Sequence, residues 1–371
     1  MGGAARVKKA ARPRRTSMTL ATLSVSHLRC IEEAAMDLPP GLTLLVGPNG
    51  SGKTSVLEAI FLLGRGRSFR TRNNERLIQR GATHLRVVGR TEALQGGGLT
   101  IGFEVPAGGG ATARVGGRNV ESFAELSQVF PVQVIEPGVH KLLEEGASRR
   151  RRWMDWAVFH VEPPFVDTWL RYTRALRQRN AALKCEPDQA AAWDAEVALL
   201  GEEIARSRGR FIEQLLPYWQ DTVAALSGLP VQLNYHRGWH ADMSLAEALT
   251  ASRTRDALRH ITHVGPHRAD IGVRLESRAA REVLSRGQQK LVAVAMTLAQ
   301  LRLLQDVTQT TPTLLLDDPA AELDAAHLGR FIGQVRQLRS QLIVTSLTAE
   351  SRLFGIPERT FHVDQGRVQP V

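Results

Sequence analysis

The sequence has very little cysteine: Cys30 and Cys185 are the only two in 371 residues. Two cysteines this far apart provide neither a disulfide framework nor a cysteine-rich metal site. The sequence also has no uninterrupted apolar run of the roughly 18 residues that a membrane span needs, and no hydrophobic stretch typical of a signal peptide. A disulfide-stabilised secreted scaffold is therefore excluded, and we expect a cytoplasmic protein.

Acidic residues are too few to balance the basic ones. Against 48 lysines and arginines there are 37 aspartates and glutamates, which gives a formal net charge of +11 and a pI near 10.5. Arginine supplies most of the excess, and its planar guanidinium suits phosphate groups. A nucleic-acid partner is the leading inference, an anionic membrane surface is the second, and a generally basic proteome is the explanation without function.

A phosphate-binding loop of the form G-x-x-x-x-G-K-T occupies residues 47–54. It follows the apolar run 42–46, typical of a buried strand, and precedes the run 55–63, typical of a helix. Its N–H groups and the positive end of the helix suit phosphates, with Lys53 at the β- and γ-phosphates and Thr54 at Mg²⁺. The predicted nucleotide contacts are Gly47, Asn49, Gly50, Ser51, Gly52, Lys53, Thr54 and Ser55.

Two carboxylates follow a second apolar run, Thr313–Leu316. Asp317 is expected at the carboxyl end of this strand, where it can hold Mg²⁺ directly or through water. Asp318 is expected to orient or deprotonate the attacking water. Downstream of a phosphate loop this pattern is specific, whereas alone it would be weak.

A second candidate anion loop opens the helix after Leu284. Ser285, Gly287 and Gln288 stand at the helix N-terminus, where a serine and a glycine supply hydrogen-bond donors. Two such loops from one subunit cannot surround the same γ-phosphate without steric conflict. We therefore expect this loop to face the nucleotide of a second subunit.

These motifs together resemble those of ABC-type ATPases. Residues 284–289 resemble the signature motif, and Ala321-Glu322-Leu323-Asp324 resembles the D-loop. Gln133 falls where a Q-loop glutamine would lie, so the resemblance gives it a role beside Mg²⁺ and the attacking water. The chain departs from the usual pattern at two positions. Asp318 replaces the common glutamate, and Thr345-Ser346 replace the histidine after the last strand.

Within that superfamily the chain is most similar to the RecF family of recombination-repair proteins. The similarity implies an ATP- and Mg²⁺-dependent, DNA-stimulated weak ATPase that forms an ATP-induced homodimer. It also implies binding to double-stranded DNA and to junctions of single- and double-stranded DNA, with RecR and RecO helping to load RecA, and no membrane partner. The matching stretches are residues 63–70, 151–156, 177–183, 265–270 and 284–288.

The motif order predicts an α/β fold: an ABC-type ATPase head interrupted by a helical arm. The head should combine a mixed sheet around the phosphate loop with an antiparallel layer, indicated by short β-like segments near 85–89, 99–105 and 112–115. Apolar and aromatic residues from Trp153 to Leu215 recur at helical spacing, which favours a packed arm core. The predicted segments are a disordered basic tail at 1–17, the head at 18–136 and 264–371, and the arm at 137–263. A start at Met18 is the alternative to a native tail.

Two arginine-rich stretches are candidate DNA contacts. Arg65, Arg67, Arg70 and Arg72 share a short loop after the first helix, and Arg149–Arg152 open the arm. Sequence-independent phosphate contact is the functional interpretation, and a solvated helix face is the alternative for the second stretch.

Other functions fit less well. A transporter ATPase would have a shorter separation of Lys53 and Ser285, and a structural-maintenance or Rad50-type ATPase would have a long coiled-coil insert. A nucleotide-gated DNA clamp without hydrolysis would not need the acidic pair. His236, His240 and Asp242 match no standard zinc spacing.

Overall fold

The computed structural model describes residues 18–93, 97–320, 323–348 and 353–371. The predicted tail at 1–17 lies outside them. Fifteen strands and ten α-helices are described within these ranges. The strands are β1 Met18–Leu28, β2 Ile31–Asp37, β3 Leu42–Val46, β4 His84–Ala93, β5 Gly98–Pro106, β6 Thr112–Val115, β7 Arg118–Asn119, β8 Val132–Ile135, β9 Val231–His236, β10 Asp270–Leu275, β11 Arg278–Ala279, β12 Thr313–Leu316, β13 Leu342–Ser346, β14 Arg359–Asp364 and β15 Arg367–Pro370.

The helices alternate with these strands in the two head segments and dominate the middle of the chain. They are α1 Lys53–Arg65, α2 Phe123–Val129, α3 Lys141–Glu144, α4 Ala147–Val161, α5 Phe165–Cys185, α6 Asp194–Ser227, α7 Leu245–Arg259, α8 Ala280–Val283, α9 Arg286–Thr308 and α10 Ala325–Arg336.

The central sheet has the order β15-β14-β3-β13-β12-β8. Strands β14, β3, β13, β12 and β8 run parallel, and only β15 is antiparallel. Strands β3, β12 and β13 are apolar runs because both faces of a parallel sheet are covered. All five parallel strands end at the same edge, so the loops that follow them meet there.

The predicted antiparallel layer is confirmed as a six-stranded sheet with the order β2-β1-β4-β5-β6-β7. Helix α1 lies between this layer and the central sheet, and side chains of all three form one apolar cluster. The Gln341 side chain joins the two sheets, since it bonds both the N–H and the carbonyl of Leu20. The phosphate loop is therefore carried by a helix that is buried from both sides.

The helical middle of the chain packs on the head rather than standing apart from it. Trp153 and Trp156 of α4 and Phe211 of α6 belong to the same apolar cluster as the buried face of α9, so the aromatic stripe is core. Strand β9, which the sequence analysis missed, pairs with β10 and thus spans the predicted boundary at 263/264. This pairing ties the arm to the second head segment.

Helix α9 is the one helix in the described ranges that is long and apolar enough, by length and composition, to cross a membrane. It contains no uninterrupted apolar run of that length because polar residues such as Gln300 interrupt it. Of its most apolar stretch of 18 residues, 72% is buried inside the fold. It is the central helix of the core, with the signature serine at its start.

A buried ion pair inside the arm holds an arginine that also bonds the second head segment. Arg208 of α6 makes a bidentate ion pair with Asp155 of α4, at 2.8 and 3.0 Å, and donates to the Pro266 carbonyl at 2.7 Å. Its side chain is 3% exposed. His267, the residue after Pro266, forms a hydrogen bond of 2.7 Å between its Nδ1 atom and Tyr172 Oη. Burial lowers the pKa of His267 to about 4. His267 is therefore a neutral structural group at physiological pH.

We predict that Asp155→Asn lowers the free energy of unfolding by about 3 kcal/mol or more, because it leaves the Arg208 charge buried without its carboxylate. The matched control is Glu162→Gln, which neutralises the carboxylate of the exposed Arg210–Glu162 pair and should cost less than about 1 kcal/mol. Urea denaturation of both variants measures the difference. Equal losses of unfolding free energy in the two variants would show that the Asp155–Arg208 pair does not stabilise the arm.

Candidate nucleotide-binding and catalytic site

The loop after β3 has the backbone that the motif requires. Gly47 and Gly52 have φ of 154° and 116°, values that favour glycine. A Cβ atom on Gly47 would lie 2.1 Å from the carbonyl oxygen of Val363. The loop can therefore close against β14 only with glycine at position 47.

Inside the loop, the polar groups fit a phosphate chain. The Lys53 ammonium donates to the carbonyls of Gly47 and Pro48 at 2.7 and 2.8 Å, so it lies across the mouth of the loop. Burial lowers the pKa of Lys53, while the charges of Asp318 and Asp317 raise it. The Ser51 hydroxyl is buried with no hydrogen-bond partner among the described residues. A phosphate oxygen would satisfy that hydroxyl.

Thr54 and Asp317 meet as the sequence predicts. Thr54 Oγ1 donates to the two carboxylate oxygens of Asp317 across 3.0 and 3.1 Å. Thr345 Oγ1, at the end of β13, donates to Asp317 Oδ1 at 3.0 Å. Burial raises the pKa of Asp317, and the hydrogen bonds from Thr345 and Thr54 oppose that rise. A hydroxyl and a carboxylate side by side are hard oxygen ligands of the kind that Mg²⁺ takes.

Asp318 is held by the same threonine. Its backbone N–H donates to Thr345 Oγ1 at 2.8 Å, and its φ of 45° is left-handed, which is uncommon for a residue other than glycine. Thr345 therefore fixes both aspartates, one through its hydroxyl proton and the other through its lone pair. The sequence analysis marked Thr345 only as the place where a histidine is missing. Its position at a strand end beside β12 is the signal that could have identified it.

The structure does not bring Gln133 to this site. Gln133 lies within β8 and is paired with Leu314, well before the strand reaches the edge where the loops meet. Its Nε2 donates to Gln300 Oε1 at 2.9 Å, and Gln300 Nε2 donates to the Trp153 carbonyl at 2.8 Å. The side chain is buried against α9 and α4, so this arrangement is that of a core amide and not of a metal ligand.

Glu136, the residue after β8, lies at the site where Gln133 was expected. The Asp317 N–H donates to the Ile135 carbonyl at 2.9 Å, which places Glu136 beside Asp317 at the same edge. Burial raises the pKa of Glu136, with Arg149, Lys141 and Arg70 lowering it and Asp317 raising it. The motif resemblance pointed to Gln133, inside β8, whereas Glu136, just after that strand, is the residue at the site.

The signature loop lies at the surface. Ser285 caps α9: its Oγ accepts from the Gln288 N–H at 3.3 Å, and its N–H donates to Gln288 Oε1 at 3.0 Å. Ser285 and Gly287 are exposed. In the described part of the chain no hydrogen bond joins this loop to Lys53, Thr54 or Asp317. In the candidate D-loop, Asp324 caps α10, and Ala321 and Glu322 lie outside the described residues.

The four loop arginines separate into different environments. Arg70 is exposed, and its Nη1 lies 3.8 Å from the fully buried carboxylate of Glu58 on α1. Arg72 is exposed as well. Arg65 and Arg67 are half-buried, and Arg65 lies over the rings of Phe61 and Trp156. The loop is therefore not a uniform solvated run of charge.

Comparison with known proteins shows similarity along nearly the whole chain. The family profile described as RecF/RecN/SMC N terminal domain matches residues 19–365. The chain is 38% identical over 359 residues to the DNA replication and repair protein RecF of Pseudomonas putida (strain W619), covering 95% of this chain and 98% of that protein. It is 39% identical over the same length and coverage to the RecF protein of Pseudomonas entomophila (strain L48). The resemblance inferred from the motifs is confirmed.

Solved structures agree with the fold. The recombination mediator protein RecF-ATP in the RecFOR pathway has a TM-score of 0.86 at 25% identity, covering 97% of this chain and all (100%) of that one. The corresponding RecF-ATPrS structure has a TM-score of 0.84 at 25% identity, with 96% and 100% covered. An Smc head domain from Pyrococcus furiosus, 17% identical with a TM-score of 0.59, shares the fold alone. The predicted ABC-type ATPase head is confirmed.

We predict that Gly47→Ala abolishes nucleotide binding, because the added methyl group would overlap the Val363 carbonyl and force the loop open. The matched control is Gly50→Ala, since Gly50 also has a positive φ, of 77°, but nothing lies within 4 Å of its Cβ position. In the control, only the left-handed backbone conformation should disfavour alanine, by about 1–2 kcal/mol. Titration with a fluorescent ATP analogue measures both. Equal affinities would contradict the close contact with β14.

Proposed function

Since this chain belongs to the RecF family of DNA replication and repair proteins, we propose that it is an ATPase whose ATP-bound dimer binds DNA in recombinational gap repair. The observation that carries the proposal is the direct hydrogen bond from Thr54, next to Lys53 in the phosphate loop, to Asp317, together with the bonds that join Asp317 and Asp318 to Thr345. Nucleotide binding and hydrolysis need these groups at one edge of the sheet, and the shared edge of β3, β12 and β13 provides it.

In this proposal the loop amides and Lys53 hold the β- and γ-phosphates of ATP. Thr54 and Asp317 would hold Mg²⁺, which neutralises charge on the phosphate oxygens when bound. Asp318 accepts a proton from water as the water oxygen forms its bond to the γ-phosphorus and the bond to the β-phosphate oxygen breaks. ADP and phosphate are the products.

Slow, DNA-stimulated hydrolysis is part of the proposal. Asp318 has one methylene less than the glutamate of most ABC-type ATPases, so its carboxylate reaches less far from the strand. Its left-handed backbone, held by Thr345, leaves little freedom to compensate. A catalytic base that reaches the attacking water poorly makes hydrolysis slow. The protein would then act as a switch that stays in its ATP-bound state, and not as an enzyme with rapid turnover.

The exposed signature loop supports a shared site. Ser285 and Gly287 lie on the surface at the N-terminus of α9, and the capping bonds of Ser285 run only to Gln288 of the same helix, so this end can face a partner. We propose that the loop contacts the γ-phosphate bound by a second copy of the chain. ATP then stabilises a homodimer, and hydrolysis weakens it.

DNA binding and protein partners complete the proposal. The net charge of +11 and the exposed arginines at positions 70 and 72 suit duplex DNA and its junctions with single strands. Relatives named RecF, and solved RecF structures assigned to the RecFOR pathway, support action in that pathway. Within it the proposal gives this chain a role with RecR and RecO in loading RecA. A protein that acts on chromosomal DNA is located in the cytoplasm, at the nucleoid, and the proposal places this chain there.

We predict that Asp318→Asn retains ATP binding but lowers turnover at least about tenfold, because amide nitrogen and oxygen cannot take the proton from water. Lys53→Ala should lose binding itself, since the loop loses its only ammonium. Phosphate release and fluorescent-nucleotide binding, measured on both variants, separate the two effects. Turnover by Asp318→Asn at the wild-type rate would show that another residue is the base.

We predict that Ser285→Arg binds one ATP per chain but fails to dimerise. Mixed with Lys53→Ala chains it should regain part of the hydrolysis, because one of the two sites then has an intact phosphate loop facing an intact signature loop. Sedimentation with a slow ATP analogue and phosphate release on mixing are the measurements. Wild-type chains that stay monomeric with ATP would contradict the shared site.

A further inference from the structure

Arginines from two distant segments meet at the C-terminal end of α1. Arg65 ends this helix, and its guanidinium carbon lies 5.4 Å from the Phe61 ring and 5.2 Å from the Trp156 ring. On α4, Arg149 and Arg152 precede Trp156 by seven and four residues, so all three share one helix face. The contact with Trp156 therefore places Arg65 in line with the two arginines of α4.

Among the described residues, a carboxylate neutralises only the rim of this cluster. Arg149 pairs with Glu145 at 2.7 Å. In the described ranges, no carboxylate oxygen lies within 4.0 Å of Arg65, Arg67 or Arg152, and the Arg152 guanidinium donates instead to the Ser148 hydroxyl at 2.6 Å. The Nη1 atom of Arg65 is buried and has no hydrogen-bond partner there. An unpaired buried donor on a cation is costly unless an anion completes it.

The electrostatics agree with this geometry. Burial, and then repulsion from Arg67 and Arg152, lowers the pKa of Arg65. Burial, and then Arg152 and Arg149, lowers the pKa of Arg67 to about 10, which still leaves it charged at neutral pH. Three guanidinium groups thus repel one another in a half-buried position, and a phosphate would relieve the repulsion while accepting their hydrogen bonds.

We propose that Arg65, Arg67 and Arg152 form a built seat for one backbone phosphate of DNA, with Arg149 at its rim. The proposal rests on the DNA binding in the proposed function and assigns it a specific phosphate contact. It also divides the arginines that the sequence groups together: Arg65 and Arg67 join α4, whereas Arg70 lies beside Glu58 toward the ATP site.

A phosphate of a polymer suits the seat better than a free anion because further positive charges lie on the surface next to the seat. Arg72 is exposed and close enough to contribute to the lowered pKa of Arg152. Arg70, also exposed, acts on the pKa of Asp317 at the ATP site. Helix α1 joins the two places, since it begins at Lys53 and ends at Arg65, about 18 Å apart at 1.5 Å per residue. A strand of DNA in the seat would thus lie at the far end of the helix that holds the nucleotide.

The test compares Arg152→Gln and Arg67→Gln with Arg177→Gln, an equal charge change at an exposed residue of α5. Affinity for a fluorescein-labelled duplex is measured by anisotropy with a slow ATP analogue, over salt from roughly 50 to 200 mM. We expect about tenfold weaker binding for the first two variants and a salt slope smaller by about 1, as for loss of one phosphate contact. Arg177→Gln should change neither quantity. Thermal unfolding of each variant checks that the fold is retained, and Arg67→Gln serves if Arg152→Gln unfolds.

A second arm titrates inorganic phosphate into the nucleotide-loaded protein by calorimetry. If the variants lose phosphate binding but keep the wild-type duplex affinity and slope, the seat takes a free anion and the DNA assignment is overturned. If neither ligand distinguishes the variants from Arg177→Gln, there is no seat. If the wild-type protein itself binds no duplex, the DNA part of the proposed function fails, and with it the DNA assignment of the seat. Duplex binding by the wild type that is unchanged in Arg152→Gln and Arg67→Gln leaves the proposed function standing and rejects the assignment of the seat to DNA.

Discussion

The parallel register of β12 between β8 and β13 is the constraint on which the site depends. Leu316 is paired with Ile135 on one side and with Val344 on the other. The next residue on each strand therefore falls at the same edge, so Glu136, Asp317 and Thr345 become neighbours although they come from three distant parts of the chain. A shift of one residue between β12 and β13 would turn Asp317 away from Thr54 and remove the Thr345 bonds to both aspartates, and a shift between β12 and β8 would move Glu136 away from Asp317.

Helix α4 shows how one run of charge serves two purposes. Arg150 and Arg151 point to the loop before β10: Arg150 pairs with both oxygens of Asp270, and Arg151 donates to the Ala269 carbonyl. Arg149 and Arg152 lie on the face that carries Trp156. The helical period alone separates them, since neighbours in sequence point about 100° apart. The same four residues thus lock the arm to the head and line the face that meets α1.

The arm and the signature helix share one core, which has a consequence for motion. Side chains of α4 and α6 pack with the buried face of α9, and the amide of Gln300 on α9 bonds Gln133 of β8 and the Trp153 carbonyl. A displacement of Ser285 at the start of α9 cannot occur without moving the arm or repacking this core, because interiors are packed too densely to deform continuously. The arm is therefore mechanically part of the ATPase head, even though the sequence presents it as an insert.

The sequence by itself determined the phosphate loop, the strand that leads to Asp317 and Asp318, the antiparallel layer and the helical character of the middle segment. Each of these is local: glycine positions, an apolar run or a period of two or of 3.6 residues is enough to identify it. It could not rank Gln133 against Glu136, or recognise Thr345, because strand register decides which residue reaches the edge of the sheet, and register depends on partners far away in the chain. The β9–β10 pairing and the division of the loop arginines between Trp156 and Glu58 were likewise settled only by tertiary contacts. Residues of identical chemistry in one short loop acquire different partners once two helices and two sheets close around them.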